Sequence, residues 1–119
     1  MIFRIIKFMN IKALSDCEIK ENIINIIKHY LPDSKIMLFG SRAKDINREN
    51  SDYDISIIWN KKIPLNIYFS IQEELDELKT LKTIDLVDFQ NFDTDFQEIV
   101  MKEGLLLYDG TSQETVNEV

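Results

Sequence analysis

The chain has 119 residues, enough for one domain with an ordinary core and too few for two. Hydrophobic residues make up 45% and charged residues 29%, which sets aside a disordered chain, and Arg4, Lys7 and Lys12 break the first apolar cluster far short of a spanning helix. The 14 basic against 21 acidic residues leave a formal charge of −7, which argues against direct nucleic-acid binding.

In chain order, Met1 to Lys12 (MIFRIIKFMNIK) lacks the unbroken apolar run and small-residue cleavage site of a signal peptide. Residues 1–14 read as an N-terminal extension that packs on the domain as a strand or helix. Ser15 and Glu18 have capping-box spacing, so a helix is expected over 15–31, with Ile19, Ile23, Ile26, Ile27 and Tyr30 on its inner stripe and Pro32 ending it. Lys35 to Phe39 is a buried strand closed by a tight turn at Gly40, and residues 45–52 form a polar loop before a second strand, Tyr53 to Trp59. Pro64 suits the first turn of another helix, with Tyr68, Ile71, Leu75, Leu78 and Leu81 inward and an acidic outer face. Thr83 to Phe89 reads as a third strand. A helix over 94–103 buries Phe96, Ile99 and Val100, with Gly104 as its C-terminal glycine, and Leu105 to Tyr108 forms a last short strand. Residues 109–119 make a polar, acidic, frayed tail. The pattern is that of an α+β (α/β two-layer) domain over residues 15–108, with helices mainly on one face of a small sheet.

The chemistry concentrates in residues 38–58, LFGSRAKDINRENSDYDISII. At Gly40 a turn brings backbone and the Ser41 hydroxyl towards a ligand, and Arg42 can add charge-assisted hydrogen bonds to a phosphate. Alone, Gly-Ser-Arg equally describes an ordinary strand-to-helix turn. Asp52 and Asp54 sharpen the reading, because residues i and i+2 of a strand share a face and place two carboxylates side by side, with Ser56 joining them. Such a pair needs a cation or proton between its members, and an oxygen-only site favours Mg²⁺. The alternative is a pair of loop-end acids capping a strand. By parity, Asp85 of the third strand faces Asp52 and Asp54, whereas Asp88 shares the Ile84/Leu86 face and is expected as a solvated acid near the strand end.

Gly40-Ser41, ten residues, then Asp52-Tyr53-Asp54 resembles the signature of the DNA polymerase β-type nucleotidyltransferase superfamily. With the Ile84-Asp85-Leu86-Val87 strand and the closing Glu103-Gly104…Leu107-Tyr108, the chain is similar to the minimal nucleotidyltransferases, which are commonly antitoxins of HEPN-domain toxins. The resemblance implies a polymerase β-like nucleotidyltransferase fold. It also implies that Gly40, Ser41 and Arg42 bind the triphosphate of ATP, and that Asp52, Asp54 and Asp85 hold Mg²⁺, as two ions. Asp85 would further help deprotonate the attacking hydroxyl. The implied reaction moves AMP from ATP to a tyrosine hydroxyl of a partner HEPN toxin in the cytoplasm, with neither nucleic acid nor membrane as partner.

One departure stands out. Asp45 replaces a glycine common in relatives and puts an acid beside the phosphate site, so a catalytically weak antitoxin that acts by binding alone is the alternative. Transfer to a small molecule is a third reading, for which the short chain would need a partner to supply the acceptor site. Other residues read as structural: His29 near a helix C-terminus, Cys17 as an inert thiol whose solitude excludes an internal disulfide and suits a reducing compartment, and Trp59 on the core side of its strand. Ile24 is an apolar excess on the first helix, a hint of an interface set against dense core packing.

Overall fold

The computed structural model describes residues 13–40 and 52–111. The first helix, α1 (Asp16–Tyr30), begins with the expected capping box: the Ser15 N–H donates to Glu18 Oε1 at 2.9 Å and the Glu18 N–H to Ser15 Oγ at 3.2 Å. It is followed by β1 (Lys35–Phe39), β2 (Tyr53–Ile58), α2 (Leu65–Asp76) and β3 (Ile84–Asp88). A 3₁₀ turn (Phe89–Asn91), α3 (Thr94–Glu103) and β4 (Leu105–Asp109) complete the described chain. Among the described residues no helix is long and apolar enough to cross a membrane.

The four strands form one mixed sheet in the order β3-β2-β1-β4. β1 lies antiparallel to β2 and β4, whereas β2 and β3 are parallel, so the chain between them must cross over, which α2 accomplishes. Strand alternation divides the side chains between two faces. On one face, Ile36, Leu38, Tyr53, Ile55, Ile57, Ile84 and Leu86 meet Ile19, Ile23 and Ile27 of α1 and Ile71 and Leu75 of α2 in a single buried core. Met37 and Phe39 alternate to the other face, where Phe39 meets the Phe96 ring of α3 edge-on at 6.0 Å. Two helices therefore cover one face and the short third helix covers part of the other. The expected α+β architecture, a small mixed sheet with helices mainly on one side, is the one observed.

Two expectations need correction. α2 ends at Asp76 rather than running on, and Leu81, expected on its inner stripe, is 86% exposed. Local bonds take over after the helix: the Thr80 N–H donates to the Leu78 carbonyl and the Lys82 N–H to Thr80 Oγ1, which turns Leu81 outward. On α3 only Val100 is buried, while Phe96 and Ile99 remain 36% and 47% exposed. Among the described residues α3 is the helix on this face, and it leaves part of both side chains uncovered. Gly104 closes α3 as expected, with an extended backbone (φ −74°, ψ 163°). Its requirement is space: a Cβ would meet the Val100 carbonyl at 2.4 Å and Met37 Cε at 3.0 Å.

At the far end β4 reaches Asp109, and the Gly110 N–H donates to the Ser34 carbonyl at 2.8 Å. Residues 1–12 of the proposed extension and 112–119 of the tail lie outside the described residues. Trp59 packs against the core as expected, with its indole N–H donating to Asp33 at 2.9 Å. His29 and Cys17 are exposed, and His29 stacks edge-on with Tyr30.

Candidate active site

The site is built where β1 ends. Gly40 sits at φ +78°, a left-handed conformation that costs other residues about 1–2 kcal/mol. A Cβ there would also lie 2.5 Å from Asp54 Oδ2. Glycine is therefore required twice, once by the backbone and once by the carboxylate that occupies the space. This contact follows from register: Phe39, the residue before Gly40, pairs with Asp54 across the β1–β2 ladder.

Asp54 is paired on its other side with Asp85 of the parallel strand β3. Partial burial pushes the Asp54 carboxyl above the ordinary carboxylate range, and the negative charges of Asp85 and then Asp52 push it further. Asp85 and Asp52 thus both act on Asp54 at the same end of the sheet. Asp52 is exposed and held at the mouth of β2, where its Oδ1 accepts from the Thr83 N–H at 3.3 Å. The neighbouring Tyr53 N–H donates to the Thr83 carbonyl at 2.9 Å, so the start of β2 is tied to the start of β3.

Asp85 is exposed on the face that carries Asp54, as strand parity requires. Asp88 departs from its expected role as a solvated acid. It is 3% exposed, accepting from the Ile63 N–H at 2.9 Å and the Gln90 N–H at 3.1 Å. Parity turns it toward the core, where two backbone donors satisfy it; its role is to cap the 3₁₀ turn. Ser41, Arg42 and Asp45 lie outside the described residues, and Gly40 is the residue of the Gly-Ser-Arg turn that the structure describes.

Several supporting residues were not legible from the motif. Tyr68 donates to the Leu86 carbonyl at 2.6 Å and Gln72 Nε2 to the Ile84 carbonyl at 3.1 Å. These side chains of α2 occupy outward carbonyls of β3, an edge strand, and fix the strand that carries Asp85. Burial, with Asp85 and Asp88 nearby, pushes the Tyr68 phenol up, so it stays a donor at neutral pH. Ser56, expected beside Asp52 and Asp54, is fully buried, and its hydroxyl has no hydrogen-bond partner.

The donor set suits a hard divalent cation: all its members are carboxylate oxygens, and a bound positive charge would relieve the repulsion that raises the Asp54 carboxyl. Among the described residues no three acidic, His or Cys side chains close into a ready-made metal cluster. Asp52, Asp54 and Asp85 are the described residues at this end of the sheet that could contribute oxygens to such an ion.

The family model for polymerase beta nucleotidyltransferases matches residues 21–113, a span that includes all of these elements except the start of α1. No curated protein matches the chain significantly. Among solved structures, a toxin–antitoxin with AMP-PNP is 22% identical, with 82% of this chain and 78% of that one covered at a TM-score of 0.64. A tri-AMPylated Shewanella oneidensis HEPN toxin in complex with MNT antitoxin gives 20% identity, coverage of 82% and 76%, and a TM-score of 0.60. A putative minimal nucleotidyltransferase gives 20% identity, coverage of 72% and 86%, and a TM-score of 0.59. At these identities the likeness is one of fold. The match across most of the chain, with Asp54 of β2 packed against Gly40 and paired with Asp85 of β3, places the protein in the polymerase beta nucleotidyltransferase family.

Proposed function

We propose that the protein is a Mg²⁺-dependent nucleotidyltransferase that moves AMP from ATP to a tyrosine hydroxyl of a partner HEPN toxin, acting as its antitoxin in the cytoplasm. The transferase domain spans residues 15–108, flanked by the extension 1–14 and the tail 109–119. The observation that carries the reading is the Asp54 carboxylate seated against Gly40 and set beside Asp85 on the parallel strand. Likeness to toxin–antitoxin structures, one with AMP-PNP and another with an AMPylated toxin, supports the choice of nucleotide and acceptor.

Asp52, Asp54 and Asp85 would hold Mg²⁺, which when bound neutralises phosphate charge and the repulsion among the three acids. Gly40, Ser41 and Arg42 would take the triphosphate. The glycine lets backbone approach the phosphates, Ser41 donates a hydrogen bond, and Arg42 adds a charge-assisted one. In the transfer, the acceptor oxygen forms a bond to the α-phosphorus and the bond from that phosphorus to the bridging oxygen breaks, releasing pyrophosphate. Asp85, the exposed member of the paired strand acids, takes the hydroxyl proton. Fixing these groups before reaction lowers the barrier mainly through orientation and charge placement.

The test is intact-mass spectrometry of the protein co-purified with its proposed HEPN toxin partner. With ATP and Mg²⁺, the toxin should gain the mass of AMP, and Asp52→Asn with Asp54→Asn should abolish the gain. A toxin neutralised equally well by the double variant, with no added mass from the wild type, would replace transfer by neutralisation through binding alone.

A further inference from the structure

Asp52 and Asp54 flank Tyr53, and this residue breaks the pattern of its strand. The other core-side positions of β2 are aliphatic, Ile55 and Ile57, and all three side chains are fully buried. A third aliphatic residue would serve that packing as well. What the phenol adds is a polar tip, which needs a partner once the ring is buried. Its hydroxyl donates to Oδ1 of Asp16, a half-exposed carboxylate in the first turn of α1 and 37 residues away in the chain.

Asp16 is itself held. Its Oδ2 meets Lys20 Nζ at 3.3 Å, one turn along the helix, and the Ser15–Glu18 capping box fixes the turn to which it belongs. Just ahead of it, the Leu14 N–H donates to the Lys79 carbonyl at 3.0 Å. Lys79 lies in the link from α2 to β3, which ends at Thr83. The Thr83 N–H donates to Asp52 Oδ1, and the Thr83 carbonyl accepts from the Tyr53 N–H. Residues 14–16 therefore grip the start of β2 twice, directly through Tyr53 and indirectly through the link that carries Thr83.

Strand alternation converts a grip on Tyr53 into control of its neighbours. A rotation of Tyr53 about the strand axis swings Asp52 and Asp54, which lie on the opposite face, through the same angle. The acids at this end also repel one another, so without a cation they tend to part. We infer that Tyr53 and Asp16 are positioning residues for the metal site, their phenol–carboxylate hydrogen bond fixing the start of β2 so that Asp52 and Asp54 meet a divalent cation already in place. The inference rests on the metal reading proposed above and adds to it the groups that stand behind the ligands. Neither residue touches the ion. Partners behind metal ligands are typically worth about ten- to a hundredfold in metal affinity or activity, and the lower end is expected for a bond made by the residue between the ligands.

Mn²⁺ serves as the probe, because the electron paramagnetic resonance signal of the free ion gives its affinity without turnover. Tyr53→Phe, which keeps the ring and removes the hydroxyl, and Asp16→Ala should each weaken Mn²⁺ binding by about tenfold. Each should raise the Mg²⁺ concentration that half-saturates AMP transfer by the same factor. The double variant should be no weaker than either single one, since both remove the same bond. Asp16→Asn, whose amide oxygen still accepts from the phenol, should stay within about threefold of wild type. Ile23→Val, which removes one buried methyl from the same core, should bind Mn²⁺ as the wild type does.

Wild-type Mn²⁺ affinity in Tyr53→Phe and Asp16→Ala would overturn the positioning role while leaving the metal site intact. An equal loss in Ile23→Val would also overturn it, because stability alone would then be the cause. Asp16→Ala changes an exposed residue, so it reports on the bond even where Tyr53→Phe lowers the yield of folded protein. Wild-type protein that binds no Mn²⁺, or binds it equally well after Asp52→Asn with Asp54→Asn, would overturn the metal reading and this inference with it.

Discussion

The two faces of the sheet are made from the same four strands and have opposite properties. Toward α1 and α2, aliphatic side chains interlock and residues such as Ile23, Ile27, Leu38 and Ile55 have no exposed surface. Toward α3, the strands carry acids at one end, a buried serine hydroxyl without a partner, a phenylalanine cluster and an open cavity. Alternation along each strand makes this division possible, since neighbouring residues serve opposite faces. Tyr53 is fully buried while Asp54, next to it, is half-exposed beside Gly40. One face supplies stability, and the other uses part of it to hold groups that repel one another.

The largest expected effect lies on the sealed face. Ile23→Ala removes a fully buried side chain from the centre of α1 and should cost about 2–5 kcal/mol, read as a lowered midpoint in urea unfolding. Ile99→Ala, on the open face, should cost about 1 kcal/mol or less, because that residue is already half in water. Similar losses from the two substitutions would break the contrast between the faces.

A smaller effect, of opposite sign, is expected at the site. The Asp54 carboxyl is raised by burial and by the negative charges of Asp85 and Asp52. A carboxyl that holds its proton more tightly when folded favours the folded state below its unfolded pKa of about 3.9. That advantage is lost as pH rises through the raised folded value, so at neutral pH the ionised group opposes folding. Asp54→Asn should therefore raise the metal-free melting temperature by a few degrees at pH 7, on the order of a fraction of a kcal/mol, with the gain vanishing in acid below pH of about 3.5. Thermal melts across pH check this. A gain that persists unchanged in acid would point to packing rather than charge.

How far these features were legible in the sequence depends on how local their causes are. The Ser15–Glu18 box lies within one helical turn, and α1 begins where it predicts. Strand parity also placed Asp85 with Asp54 and Asp88 on the core side, because alternation needs no knowledge of distant chain. It did not reveal that Asp88 would find two backbone donors, one of them from Ile63, 25 residues away. Leu81 misled because its helical spacing continued past Asp76, where no glycine or proline marked the end of α2. Phe96 and Ile99 misled differently. An apolar stripe marks the side of a helix that faces the sheet, but not whether the space beneath is filled. The contact between Gly40 and Asp54 depends on the β1–β2 register, which pairs Phe39 with Asp54 and has no signature in either motif alone.

A comparably small effect tests whether the open face carries an uncompensated polar group in its interior. Ser56 is fully buried on β2, between Met37 of β1 and Val87 of β3, and its hydroxyl makes no hydrogen bond. A buried hydroxyl without a partner costs about 1–3 kcal/mol in desolvation, part of which alanine recovers while losing little packing volume. Ser56→Ala should therefore be neutral or stabilising by up to about 1 kcal/mol, whereas most buried substitutions destabilise. The same strand position read from the sealed face gives the opposite expectation: Ile55→Ala, one residue earlier, should destabilise as Ile23→Ala does. Denaturant unfolding of the two variants side by side measures the contrast across a single peptide unit. A loss of stability in Ser56→Ala would mean that the hydroxyl is satisfied in solution, by water or by a side-chain rotation, and that the interior of the open face is as well compensated as the core.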